Sequence, residues 1–404
     1  MRPGKIFQKH PIVSMIVLLV VIFLATDIIG KNIFKYYFKS YFKKNDHEKE
    51  YRIPSNYYHH DLKPNVSIPK TSWGNIIYPI DTNSLGFKDK RPREVSLHSD
   101  RYRILFIGDS FTEGVGIAYD NTFVGIIDNA LQKKNIEVLN AAACTYSPSI
   151  YYAKVKYLID VVGLKFDELV VFIDISDIRD EAFFYRLDDN KVVDKTEATK
   201  TNNVLEERYN ISLKEKRSAY QKIEKILKRD TIMTYLIVKK IHDLLFLPKN
   251  SNDDSINYRA ALWTVDQSFY KEFGIVGLNK SAKSMDLLVN LCRDKKIILT
   301  IAVYPWPDQI IHHDLNSIQS KFWSIWAKKH DVKIINYFPY FISPNHTTAD
   351  VRGILDTYFI PGDMHWNNKG HLFIANIFLN NFKISKNHIV KQLYFNSHLN
   401  MLSE

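Results

Sequence analysis

The sequence predicts an α/β protein: a three-layer α/β/α sandwich on a five-stranded parallel sheet, preceded by one transmembrane helix. Three observations lead there. Five short apolar runs alternate with helix-spaced stretches from residue 102 onward, the pattern of βαβ units. A 20-residue apolar run, 11–30, stands near the N-terminus. Composition is that of an ordinary globular chain: of 404 residues, 46% are hydrophobic and 25% charged, with 14 Gly, 14 Pro and 2 Cys. That excludes collagen, low-complexity disorder and a disulfide scaffold. A mean hydropathy of −0.23 excludes a polytopic membrane protein and leaves room for a single anchor.

Residues 1–10 form a short tail and 11–30, with IVLLVVIFLA at the centre, the membrane helix. Twenty residues at 1.5 Å rise match a bilayer core of ~30 Å. A cleaved signal peptide is the competing reading, since Arg2, Lys5 and Lys9 precede the run. The run is longer than a usual signal core and no small-x-small site follows it cleanly, which favours an uncleaved anchor. Lys31, Lys35, Lys39, Lys43 and Lys44 follow the helix, and by the positive-inside rule they place the C-terminal side in the cytoplasm. Long C-terminal domains translocate largely regardless of charge, and the chemistry read below favours a body outside the cytoplasm, in the periplasm. Residues 1–50 carry 9 Lys/Arg against 4 acids, a large share of the net charge of +11, which suits a membrane surface and implies no nucleic-acid partner. Residues 33–42 interleave Lys35 and Lys39 with aromatic residues, so they either lie along the headgroups or extend the anchor helix.

Residues 31–95 read as a juxtamembrane segment and linker. Within it, 43–75 lack periodicity and are rich in charge, Pro, Asn, Tyr and His, as expected of a surface linker. The stretch 75–89 reads as an edge strand followed by a turn at 83–86. The main domain spans 96–390. Its strand runs are RILFIG (103–108), IEVLN (136–140), DELVVFIDI (167–175), KIILTIAVYP (296–305) and VKIIN (332–336). Helical spacing covers 122–133, 150–162, 278–293 and 318–330. The interval 186–268 breaks the rhythm with a Lys/Glu-rich helical stretch, 213–247, and reads as an insertion and lid. Residues 391–404 form a tail.

Two elements carry chemistry. The first strand runs into Asp109, Ser110, Phe111, Thr112, Glu113 and Gly114, and a helix follows. Reactive groups collect at the carboxyl ends of strands in an open parallel sheet, so Ser110 stands where a nucleophile is presented at a helix N-terminus, its N–H facing an oxyanion. Alone, Asp and Ser after a strand are equally an N-cap. The second element, GDMHWNNKGH, places Asp363, His365 and Trp366 ahead of an apolar helix over 372–378. A serine nucleophile needs a base, and the base a carboxylate that fixes its tautomer; Asp363 and His365 supply both from one loop. Alone, D-x-H is as readily structural or metal-binding.

Taken together, IGDSFTEGVG and GDMHWNNKGH resemble the first and last blocks of the SGNH (GDSL-like) hydrolase superfamily, over roughly 103–382. The resemblance implies a flavodoxin-like sandwich, Ser110 as nucleophile, His365 as base, Asp363 as orienting acid, and neither cofactor nor metal. Anchored members with this D-x-H spacing resemble enzymes that add or remove O-acetyl groups on bacterial surface polysaccharides. The middle blocks depart from the pattern. In NAAACTYSP, Ala142 stands where the family has a glycine N–H donor, and in DISDIRDE, Ser176 stands where it has an asparagine. The expected oxyanion set is therefore the Ser110 and Ala142 N–H groups with the Ser176 hydroxyl. Losing one such donor costs ~10²- to 10³-fold in rate.

Other residues admit two readings. Asp109, Trp306 and Trp366 are expected to bind substrate, with Trp306 stacking on a sugar ring or forming a rigid turn after the fourth strand. Asp174, Asp177, Asp180 and Glu181 invite a divalent metal, though a polar loop that positions Ser176 is preferred. His59, His60 and Asp61, and likewise His312, His313 and Asp314, read as polar loops. Cys144 reads as a small buried filler beside the site, with its pairing to Cys292 undecided. The expected function is an anchored serine esterase or O-acetyltransferase acting on acylated carbohydrate through an acyl-serine. The alternatives are a lipid-directed esterase, with an acylated lipid as substrate, and a degenerate member that binds glycan without turnover.

Overall fold

The computed structural model describes Met15 and residues 48–74, 76–187 and 260–382. The expected membrane helix, most of the 186–268 insertion with its lid, and the tails lie outside the described residues. No helix among the described residues is long and apolar enough to cross a membrane.

The described chain opens on a hairpin, β1 (Arg52–Ser55) against β2 (His59–Leu62), with Arg52 opposite Leu62. Three strands follow: β3 (Ser67–Trp73), β4 (Ile76–Thr82) and β5 (Lys88–Asp89). The βα rhythm then begins. It runs through β6 (Tyr102–Ile107), α1 (Ser110–Glu113), α2 (Phe123–Gln132), β7 (Ile136–Asn140), α3 (Pro148–Tyr157), β8 (Glu168–Ile173) and α4 (Asp177–Phe183). It resumes with α5 (Ile275–Asp294), β9 (Ile298–Val303), α6 (Ile318–Lys329), β10 (Lys333–Asn336), α7 (Thr348–Tyr358) and α8 (Asn368–Asn381).

The sheet has eight strands in the order β10-β9-β8-β6-β7-β5-β4-β3, which corrects the expected five. The five apolar runs are all strands, and they pair in parallel. The additional three come from the stretch read as linker and edge strand, and they join antiparallel. The reason is local. β3 holds Pro69 and a register shift between Ile68 and Thr71, so it shows no period-2 alternation, yet as the outermost strand it needs none. β4 and the turn at Asn83 form as expected, but β3 covers β4, which is therefore not the edge. The linker is also pinned by charge: Asp61, 5% exposed, takes Lys154 Nζ at 2.6 Å and Tyr58 Oη at 2.7 Å.

Strands β6 and β8 are buried along their whole length, as parallel strands covered on both faces must be. Helices α2 and α8 pack on each other, and α3, α4 and α5 pack together as a second group, which gives the outer layers. The chain leaves β6 toward β7 and returns to β8 on the other side. The switch point therefore lies between the carboxyl ends of β6 and β8, and Ser110 follows the first while Asp174 follows the second.

Candidate active site

Ser110 opens α1, a single turn whose N-cap is Asp109: its Oδ1 accepts the Phe111 N–H at 3.0 Å. The approach is close. A Cβ at Gly108 would run into the Thr112 side chain and the Phe172 carbonyl, so only glycine lets β6 turn into α1 here. Behind the turn, buried Lys88 donates to the carbonyls of Gly114 and Ile117, both at 2.7 Å. Burial lowers its pKa to about 8.

The second loop is fixed from both ends. Phe359 bridges to Trp366, and Asn367 caps α8 by accepting from Lys369 N and Gly370 N while its amide donates to the Thr357 and Phe359 carbonyls. These contacts bring the two sequence elements together. Ser110 Oγ and His365 Nε2 are 2.8 Å apart, and His365 Nδ1 and Asp363 Oδ1 are 2.6 Å apart. Asp363 Oδ1 also accepts the His365 backbone N–H at 3.0 Å. Burial raises the proton affinity of Asp363, but the His365 hydrogen bond and charge outweigh it and hold the carboxyl at about 2. Asp363 is therefore an acceptor only, His365 carries its proton on Nδ1, and Nε2 is free to accept from Ser110. The imidazole is clamped between Trp73, edge-on at 5.1 Å, and Phe111 at 4.6 Å.

Two of the three groups expected at the oxyanion make other hydrogen bonds in this structure. The Ala142 N–H turns to Asn140 Oδ1 at 3.2 Å, and the Ser176 hydroxyl donates to Asp174 Oδ1 at 2.6 Å. Both protons face a neighbouring side-chain oxygen, and the Ser110 N–H stands in the first turn of α1. The expected substrate contacts also lie elsewhere. Trp306 is buried, its indole N–H donating to Asp174 Oδ2 at 2.7 Å, and Trp366 is fully buried against Phe111 and Tyr304. Asp109 is buried beneath Ser110. All three are interior groups because apolar rings and strand ends surround them, which no short motif reveals.

Carboxylate oxygens of Asp109, Asp174 and Asp177 lie within 4.8 Å of one another. Glu181 points instead to Ser147 and Ser149. Cys144 and Cys292 are both free thiols, and burial pushes both upward, so neither is a thiolate competing with Ser110.

Sequence reasoning missed Trp73, which donates to Asp363 Oδ2 at 2.8 Å from the strand read as linker. It also missed Arg52, whose guanidinium makes two 3.0 Å bonds to Glu113, three residues past Ser110. Glu113 in turn accepts the Cys144 N–H at 2.6 Å. Neither Trp73 nor Arg52 sits in a motif, so the sequence holds no signal for them.

No protein-family model matches the chain, and neither does any curated protein. Among solved structures, it is similar to an acetyl xylan esterase, AlAXEase, at 13% identity and TM-score 0.38, covering 70% of this chain and 100% of that one. It is similar to the acetylxylan esterase Axe2 of Geobacillus stearothermophilus at 13% identity and TM-score 0.35, covering 70% and 95%. It is similar to the psychrotrophic esterase EstA of Pseudoalteromonas sp. at 9% identity and TM-score 0.34, covering 69% and 96%. At such values the chemistry of the site has to be read from its own atoms.

Proposed function

We propose that the protein is a serine esterase of SGNH type that cleaves or transfers an acyl group of an acylated carbohydrate, held at the membrane by residues 11–30 with its body outside the cytoplasm. The observation that carries the reading is the continuous line Ser110 Oγ, His365, Asp363, with bonds of 2.8 and 2.6 Å. His365 Nε2 takes the Ser110 proton as Oγ attacks the acyl carbonyl, and Asp363 stabilises the imidazolium. The Ser110 N–H faces the developing oxyanion. His365 then returns the proton to the leaving alcohol, and water or a sugar hydroxyl releases the acyl-serine by the reverse sequence. The polysaccharide assignment rests on the motif resemblance, and the anchor on its 20-residue apolar run.

The test is hydrolysis of p-nitrophenyl acetate and labelling by a fluorophosphonate, with Ser110→Ala alongside. Turnover and labelling that both vanish in the variant support the assignment, and unchanged labelling would falsify it. Comparing release of acetate with release of long acyl chains separates the carbohydrate reading from the lipid one. The commitment of the Ala142 N–H and the Ser176 hydroxyl favours a second reading, glycan binding without turnover. Turnover that depends on His365 removes it.

A further inference from the structure

Two hydroxyl groups face the carboxyl group of Asp109, and each has its single proton committed elsewhere. Ser110 Oγ lies 3.3 Å from Asp109 Oδ2, yet its proton belongs to the shorter bond with His365 Nε2. Tyr304 Oη lies 3.3 Å from Asp109 Oδ1, but its proton goes to Asp174 Oδ2 at 2.6 Å. An ionised Asp109 would set its oxygens against two sets of oxygen lone pairs in a site 3% exposed. A proton on Oδ2 turns the first conflict into a hydrogen bond and weakens the second. Oδ1 keeps the Phe111 N–H.

The groups facing Asp109 supply no positive charge of their own. From the end of β8 comes Asp174, from α4 Asp177 and Asp180, and from α3 Tyr151. Tyr304 comes from the end of β9 and Cys144 from the loop after β7, with His365 beyond Ser110. Among the described residues no Lys or Arg pairs with Asp109, Asp174 or Asp177, all three of which are buried. Burial raises the Asp174 carboxyl too, but Asp174 is the member whose charge is favoured, because it accepts four bonds that oppose that shift: the Ser176 N–H and hydroxyl, Tyr304 Oη and the Trp306 indole, at 2.6 to 2.7 Å. Burial, and next the charge of Asp174, push Asp109 well above the usual carboxylate range. Every oxygen of the cluster except Asp109 Oδ2 and Asp177 Oδ1 takes an N–H or O–H donor, a set that suits a held proton better than a cation.

We propose that Asp109 works as a neutral carboxylic acid whose Oδ2 proton is donated to Ser110 Oγ, an inference that rests on Ser110 being the nucleophile. When the acyl-serine bond breaks, electron density returns to Oγ. The Asp109 hydrogen bond stabilises it there while His365 delivers the proton, and the Asp109 proton stays in place. A carboxylate at the same position would repel both Oγ and the oxyanion. Activity is therefore lost as pH rises through the ionisation of Asp109.

The test follows the rate of fluorophosphonate labelling against pH in the full chain, with Asp109→Asn and Asp174→Asn beside it. Asn also caps helices, so Asp109→Asn keeps the α1 turn, and its amide donates without ionising. The wild type should show an alkaline fall in rate that Asp109→Asn lacks. Asp174→Asn, which removes the neighbouring charge, should move the fall at least about one unit toward lower pH. The infrared difference between the wild type and Asp109→Asn at pH 7 should show one protonated-carboxyl C=O component lost in the variant. An alkaline fall that persists in Asp109→Asn, an unchanged infrared spectrum, or activity lost to a chelator and restored by a divalent cation overturns the proposal. If neither the wild type nor any variant labels while folded, the serine assignment has failed, and the infrared band alone decides the state of Asp109.

Discussion

The indole of Trp73 crosses 290 positions of sequence to donate to Asp363 Oδ2 at 2.8 Å. Asp363 thus has one oxygen for His365 and the other for Trp73, and it cannot rotate without losing a bond to one of them. The strand that carries Trp73, β3, is the outermost of the sheet, so an edge element orients the base of a site built on the central strands.

Replacing Trp73 with Phe keeps the ring against His365 and removes only the N–H. A hydrogen bond to a charged group is worth ~1.5 to 3 kcal/mol, and the part expressed in positioning should lower kcat on a small acetyl ester about tenfold with KM nearly unchanged. Steady-state kinetics of Trp73→Phe check this. Equal kcat in both proteins would mean that His365 and the backbone hold Asp363 unaided.

Arg52, Glu113 and the Cys144 N–H form a chain from the β1–β2 hairpin to the loop that follows β7. Glu113 is fully buried, and Arg52 holds its carboxylate below the ordinary range against the opposing effect of burial. Arg52→Met breaks that ion pair and leaves the buried charge to the Cys144 N–H and the field of Lys88, at a cost of about 3 kcal/mol. A fall in Tm of about 5 °C is expected, larger than for Arg52→Lys, which keeps one of the two bonds. Thermal unfolding of the two variants side by side is the measurement.

The parallel strands and their helices were legible because burial on both faces forces continuous apolar runs such as ELVVFI, and helices declare themselves by spacing. Ser110, Asp363 and His365 were legible because each sits in a short motif at a strand end or before a helix. β3 was not, since an edge strand with Pro69 and polar neighbours needs no alternation. The partner of the Ser176 hydroxyl was not legible for a different reason. Sequence shows that Ser176 has a hydroxyl, but only the fold shows Asp174 2.6 Å away to take its proton.

Buried histidines make stability depend on pH. Burial holds His371 and His60 at about 3, against an ordinary value near 6.5. Above pH 6.5 both are neutral whether folded or not. Between pH 6.5 and 3 the unfolded chain takes up protons that the folded one refuses, so stability falls with pH by up to ~1.4 kcal/mol per unit for each histidine. The two histidines together should therefore contribute a loss of about 3 to 4 kcal/mol between pH 7 and pH 5, which a neutral Asp109 opposes over the same range, so urea midpoints are compared between the wild type and a histidine variant. Asp363, at about 2, adds its own loss only below pH 4. His371→Gln, which keeps an acceptor for the Phe123 N–H, should lose about 2 kcal/mol less than the wild type between pH 7 and pH 5. The same slope in the variant would assign the proton uptake to other groups.

Ser176→Ala separates the two roles a hydroxyl can have at this position. If Ser176 held the oxyanion, its loss would slow acyl transfer ~10²- to 10³-fold. Its proton instead goes to Asp174, which keeps the Ser176 backbone N–H, Tyr304 and Trp306 as donors when the hydroxyl is removed. The expected loss in kcat/KM is therefore less than about tenfold. The alkaline fall in labelling should stay where it is in the wild type or move slightly up, because Asp174 keeps its charge on the three remaining donors and still opposes the ionisation of Asp109. A loss of 100-fold or more would return Ser176 to the oxyanion.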